Sequence, residues 1–163
     1  MIRLATGADV QRILTVVALA PEAYQELIVC SPFIDGETAK VLGRAAVAAR
    51  RAQCGFTIVT KPEDRSRIVG AICGTRSQAA AAVIPGPGLH AKAYLLAGRH
   101  REDSVAVVSS VNLTTAGLNK NIELGVLATP GCDDGAALVD AALAFLRRLI
   151  WTRRQMSACR TRR

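Results

Sequence analysis

The feature that most constrains this chain is the alternation of short apolar runs with segments of helical period. Asp9 to Ala20 repeats apolar residues at helical spacing and stops at Pro21. Glu26 to Phe33 is an apolar run that passes into a loop, and Gly55 to Thr60 is a second such run. Between them, Gly36 to Arg51 carries an Ala/Val/Leu face and reads as a helix. Pro62 and two acids open a third helix that ends near Gln78, and Ala80 to Ile84 is a third strand closed by Pro-Gly-Pro-Gly.

Beyond residue 88 the pattern changes. Leu89 to Ala97 and Ser104 to Val111 are strands joined by a charged turn, which predicts a hairpin. Asn112 to Asn119 is a polar loop with one helical turn. Ile122 to Ala128 is a sixth strand, and Asp133 to about Arg153 is a long final helix. Helix–strand alternation followed by a hairpin predicts an α/β fold with a mixed β-sheet flanked by helices on both faces. With 163 residues and half of them apolar, one domain over residues 1–153 and a basic tail over 154–163 are expected.

The same composition excludes several classes. No run of about 20 apolar residues exists, so no stable membrane insertion is expected. Asp9 falls where a signal peptide needs its apolar centre, which predicts an unexported, cytoplasmic protein. Cys30, Cys54, Cys73, Cys132 and Cys159 are odd in number and scattered, against a disulfide framework. No Cys-x-x-Cys and only two histidines argue against zinc, and no metal or cofactor is expected. Cys30 and Cys54 lie in apolar runs and are expected as buried small hydrophobes.

The charge of +8 is unevenly spread. Residues 1–146 have 14 Lys/Arg against 13 Asp/Glu, whereas residues 147–163 have seven Arg and no acid. Such an arm fits a polyanion, and Arg147, Arg148, Arg153 and Arg154 are its candidate nucleic-acid contacts. A solvated tail that only aids solubility is the plain alternative. Six aromatic residues are thin for stacking on single strands, and Trp151 is expected to pack the last helix turn.

Chemistry concentrates in the second half. His90 stands where a Gly/Pro-rich loop meets a strand, with Lys92 two residues on and therefore on the same face. Asn112 ends the next strand, and Glu123 opens the last one. These four residues can meet at one end of the sheet. A carboxylate beside a histidine fixes its tautomer and makes it a better nucleophile. Lys and Asn can hold the phosphoryl oxygens on which charge spreads in the transition state. The set suits phosphodiester cleavage through a covalent phosphohistidine. Singly, a histidine at a strand end, an edge lysine and a turn asparagine are ordinary structural residues. Glu123, between Ile122 and Leu124, is harder to dismiss, since an unpaired carboxylate among apolar neighbours is costly.

His90-Ala-Lys92, Val107-Val-Ser-Ser-Val-Asn112-Leu-Thr-Thr and Asn121-Ile-Glu123-Leu-Gly-Val together resemble the phospholipase D superfamily signature, His-x-Lys-x4-Asp, Gly-Ser-x-Asn and a later glutamate. Leu27-Ile-Val-Cys-Ser-Pro-Phe-Ile34 is similar to that family's first strand and loop. The resemblance spans about residues 24–128. It departs at Ala97, where the motif has Asp, and at Ser109-Ser110, where it has Gly-Ser.

The resemblance implies a phospholipase D-like α-β-α sandwich. It implies His90 as nucleophile, Lys92 and Asn112 as phosphate ligands with Ser109 and Ser110 at the motif's Gly-Ser positions, Ser110 assisting, and Glu123 orienting His90. It implies a second histidine to protonate the leaving oxygen. His100 sits in a charged turn without an x-Lys partner, so a homodimer with two facing His90 residues is expected. The function expected is a metal-independent endonuclease acting on nucleic acid, DNA first. Low sequence specificity is expected of this chain alone, which leaves room for a separate target-recognition or helicase subunit. The alternatives are a phospholipase D-type phospholipid hydrolase or transferase, and a nucleic-acid-binding or sensor domain with impaired catalysis, for which Ala97 is the direct support.

Overall fold

The computed structural model of the chain describes residues 1–73 and 81–160. Seven strands form one sheet: β1 (Ile2–Ala5), β2 (Tyr24–Cys30), β3 (Gly55–Thr60), β4 (Ala82–Pro85), β5 (Ala93–Gly98), β6 (Val105–Ser109) and β7 (Gly125–Ala128). Their order is β1-β7-β6-β5-β2-β3-β4. β2, β3 and β4 run parallel, while β5 lies antiparallel to β2 and to β6, and β7 pairs antiparallel with β6 and β1. The helices are α1 (Gly7–Leu19), α2 (Gly36–Arg51), α3 (Pro62–Cys73), α4 (Thr115–Asn119) and α5 (Asp133–Arg160).

Strand alternation divides the core into two layers. Leu27, Val29, Phe56, Ile58, Tyr94 and Leu96 point toward α1, α2 and α3. Ile28, Cys30, Val59, Leu95 and Ala97 point to the other face, which α5 covers with Val139, Leu146 and Ile150. Both faces are therefore dry, which explains why the central runs are apolar throughout. The expected mixed sheet between helices and the β5–β6 hairpin are both present. Cys30 and Cys54 are buried, and burial pushes the Cys30 thiol up to about 12.

Several boundaries differ from the sequence reading. β1 is an additional strand. It was not legible because Ile2, Arg3 and Leu4 are exposed and only Ala5 reaches the core. The strand expected from Leu89 begins at Ala93. Gly86-Pro87-Gly88-Leu89 instead makes a turn closed by the Leu89 amide on the Gly86 carbonyl at 3.0 Å, with Gly88 at φ +70. Proline followed by a glycine of positive φ is the composition such a turn requires. The strand expected from Ile122 begins at Gly125, and Ile122 and Leu124 are exposed. The final helix does not end near Arg153 but continues to Arg160. Trp151 does not pack its last turn and is 65% exposed. The expected helix end near Gln78 and strand start at Ala80 lie outside the described residues.

Candidate active site

Register brings the candidate residues to one end of the sheet. Cys30 is paired with Ala93, Ala93 with Val108, and Val108 with Val126. The C-terminal end of β2, the start of β5, the end of β6 and the start of β7 are thus side by side. The segments beyond them carry Ser31–Asp35, His90–Lys92, Ser109–Asn112 and Glu123.

His90 and Lys92 precede β5 rather than lying in it, but the ladder extends past the strand: the Ser109 amide donates to the Lys92 carbonyl at 3.1 Å. Lys92 and Ser109 are therefore cross-strand neighbours. The turn before His90 is held from two sides. The Gly86 amide donates to the Thr60 carbonyl at 2.6 Å, and Arg153 Nη2 donates to the Pro87 carbonyl at 3.1 Å. His90 is exposed, and among the described residues its ring takes part in no hydrogen bond. Lys92 Nζ donates to the His90 carbonyl at 3.1 Å, so the ammonium lies against the backbone of the histidine.

The second wall is a pair of loops laced together. The Ser31 hydroxyl donates to the Phe33 carbonyl at 2.8 Å and accepts from the Leu113 amide at 3.1 Å. The Asp35 amide donates to the Leu113 carbonyl at 3.0 Å, and the Asp35 carboxylate accepts from the amides of Thr38 and Thr115. Asp35 thereby caps α2 and holds the start of α4. Burial alone would raise its pKa, but the Thr115 and Thr38 donors outweigh that and hold it down at about 2. Below this lacing the Tyr94 hydroxyl donates to the Val111 carbonyl; burial pushes this phenol up, so it remains a donor.

These bonds fix the backbone around Asn112, whose side-chain oxygen is buried and accepts nothing from the protein. An orphaned amide oxygen is costly in a folded interior.

Glu123 has two partners. Its carboxylate accepts from the Ser110 hydroxyl and from Asn121 Nδ2, the latter at 3.1 Å. The Ser110 oxygen in turn accepts from the Leu124 amide at 3.2 Å. Two sequence expectations differ from this arrangement. Glu123 is not buried among apolar neighbours, since Ile122 and Leu124 face solvent. It is also bonded to Ser110 and Asn121 rather than to His90. A hydroxyl has one proton, and that of Ser110 is used by Glu123, so Ser110 acts on the carboxylate and not as a free phosphate donor. Ser109 keeps its proton: its oxygen accepts from the Val111 amide at 3.1 Å. Gly125 lies opposite Ser109, and a methyl group there would collide with the Ser109 Cβ. Gly125 therefore lets β6 and β7 pack closely at Ser109.

Ala97 lies at the far end of β5, five residues and about 16 Å of strand from Lys92. It is 8% exposed and packed on the α5 face. The position where the motif has Asp is thus remote from the His90 end. Of the arm residues, Arg147 is engaged with Glu26 at 3.0 Å and Arg153 with Pro87. Arg148 and Arg154 are exposed, as is His100. Among the described residues, no three His, Cys, Asp or Glu side chains are grouped as metal ligands, and no helix is long and apolar enough to cross a membrane.

No protein-family model and no curated protein matches the chain. Solved structures do. Nuc from Salmonella typhimurium, a phospholipase D family member, is similar at 15% identity over 94% of this chain and 95% of that one, with a TM-score of 0.58. NucT from Helicobacter pylori is similar at 12% identity over 92% of this chain and 95% of that one, with a TM-score of 0.58. Polyphosphate kinase from Porphyromonas gingivalis is similar at 17% identity and a TM-score of 0.64. That match covers 91% of this chain and 26% of the kinase, so the chain spans about a quarter of that relative's length. The chain shares the fold of these structures, one of them a phospholipase D family member.

Proposed function

We propose that the chain is a phosphodiesterase that cleaves nucleic acid, DNA first, through a covalent phosphohistidine at His90. The observation that carries this reading is the register that brings His90, Lys92, Ser109, Asn112 and Glu123 to one sheet end. The exposed imidazole of His90 is accessible to a phosphodiester. Its ring nitrogen attacks phosphorus, the bond to one ester oxygen breaks, and that oxygen leaves with a proton from a general acid. Water then attacks the phosphohistidine, the P–N bond breaks, and His90 is regenerated. Lys92 and the Ser109 hydroxyl supply positive charge and a hydrogen bond to the phosphoryl oxygens. Glu123 uses two of about four carboxylate acceptor sites on Ser110 and Asn121. It keeps capacity for the imidazole N–H, which would fix the tautomer.

The chain brings one histidine to this site, so the general acid is the His90 of a second copy, and the active species is a homodimer. The remote position of Ala97 favours intact catalysis over an impaired binding domain. The likeness to Nuc and NucT, each matched over 95% of its own length, supports the nuclease reading.

The test is incubation of the pure protein with single-stranded DNA and with a small chromogenic phosphodiester in EDTA, beside His90→Ala. Wild-type turnover of both, absent in the variant, is expected. Loss of activity in chelator with recovery on magnesium addition would overturn the mechanism.

A further inference from the structure

We propose that Phe33, with Lys61 stacked on its ring, is a platform on which a base of a single-stranded nucleic acid docks beside the His90 end of the sheet. This inference rests on the nuclease reading and names the substrate form. Phe33 is 47% exposed although it sits in one of the most constrained segments of the chain. Its neighbours Ser31 and Ile34 are buried at 0% and 1%. Its own carbonyl accepts from Ser31, and the Ile34 carbonyl accepts from Arg67. Asp35 is fixed by Thr38 and Thr115. The backbone on both sides is thus immobilised while an aromatic ring is left in solvent. An exposed ring normally costs free energy through its apolar area, and a rigid exposed ring is preorganised for a flat partner.

Two further observations choose the partner. The Lys61 ammonium lies 4.1 Å from the ring centroid, and among the described residues Lys61 has no ion pair. An aromatic ring with an unneutralised cation on it suits a base attached to a phosphate, because the base stacks while the cation meets the backbone. The position suits the site as well. One hydroxyl, that of Ser31, joins the Phe33 carbonyl to the Leu113 amide, next to Asn112. Lys61 directly follows β3, whose C-terminal end lies beside that of β2. The Phe33 carbonyl is thus joined through one hydroxyl to the segment that carries Asn112. In a duplex, bases are stacked on each other and their faces are closed to a protein ring, so the platform selects single strands.

The test uses the full chain in a His90→Ala background, so that binding is read without cleavage. Fluorescence anisotropy compares a labelled 12-residue oligothymidylate with the same backbone made abasic. Phe33→Ala and the volume-keeping Phe33→Leu are expected to weaken binding of the oligothymidylate about tenfold or more and of the abasic strand less than twofold. Phe33→Trp restores or improves it. Lys61→Ala weakens both strands and flattens the salt dependence. Equal loss on both strands, no loss on either, or no binding of the oligothymidylate by the parent protein overturns the platform. A change in mass by light scattering in Phe33→Ala also overturns it, since the ring would then be a contact with a second copy. Cleavage by chains that retain His90 fails independently: binding with base preference but no turnover of any strand keeps the platform and removes the nuclease reading.

Discussion

The Ser110 hydroxyl donates to the Glu123 carboxylate and at the same time accepts from the Leu124 amide at 3.2 Å, so one side chain ties the acid to the start of β7. The two residues are thirteen positions apart and meet only because β6 and β7 pair in their observed register. Ser110 is on this account a positioning residue. Ser110→Ala should lower kcat about tenfold with KM nearly unchanged, and Glu123→Ala should lower it by 10² or more. Ser109→Ala should instead act on KM as well, because its free proton reaches the phosphate. Steady-state kinetics on a small diester separate these outcomes. A Ser110→Ala enzyme with a raised KM and unchanged kcat would contradict the assignment.

Arg148 and Arg154 project from α5 into solvent, whereas Arg147 and Arg153 are tied to Glu26 and Pro87. Removing Arg148 and Arg154 together should reduce the slope of log affinity against log salt by up to about two. It should leave small-diester hydrolysis unchanged. Arg153→Ala should loosen the turn before His90 and lower kcat. Truncation just after Arg148 is not a clean test of the arm. It would remove Ile150, which is 8% exposed and packs on the sheet, together with the Arg153 anchor.

Asp35 has a folded pKa of about 2, below the ordinary aspartate value of about 3.9. A depressed carboxyl stabilises the fold fully above the unfolded value and loses that contribution as pH falls through the folded one. Asp35→Ala should therefore cost on the order of 1 kcal/mol at neutral pH, after allowance for solvent screening of a partly exposed carboxylate. The gap from wild type should shrink between about pH 4 and pH 2. Urea unfolding at several pH values checks this. A gap that stays constant to pH 2 would contradict the linkage.

A shared site predicts coupled histidines. One His90 must be neutral to attack while the other is protonated to donate, so the pH–rate profile should be bell-shaped with values that belong to the pair. Adding excess His90→Ala to wild type should depress activity below simple dilution, and His100→Ala should behave as wild type. Light scattering should give about twice 17.2 kDa. A fully active monomer would contradict the shared site.

Much of this was legible in the sequence because short continuous apolar runs bounded by Gly and Pro report strands buried on both faces. Gly36–Arg51 and Gly55–Thr60 are helix and strand at the residues the pattern marks. What the pattern could not carry was register. Ile122 and Leu124 read as buried strand residues, yet both are exposed, because β7 starts only at Gly125. The His90–Lys92 pair reads as strand, yet the Pro87-Gly88 turn delays β5 while the ladder to Ser109 persists. The Ser110–Glu123 bond and the Ser31 bridge depend on residues distant in sequence and had no local signal. Phe33 looked like one of a few scattered aromatics. Only the lacing of the loops around it distinguishes it.

The most direct test of the central claim is to trap the covalent intermediate. Wild-type protein is mixed with a single-stranded oligonucleotide in EDTA, quenched within a turnover under conditions that preserve a phosphoramidate, and digested for mass spectrometry. The account predicts a nucleotidyl adduct on the peptide that contains His90, absent from His90→Ala, which is itself inactive. An adduct on another residue, or cleavage by His90→Ala at the wild-type rate, would contradict it.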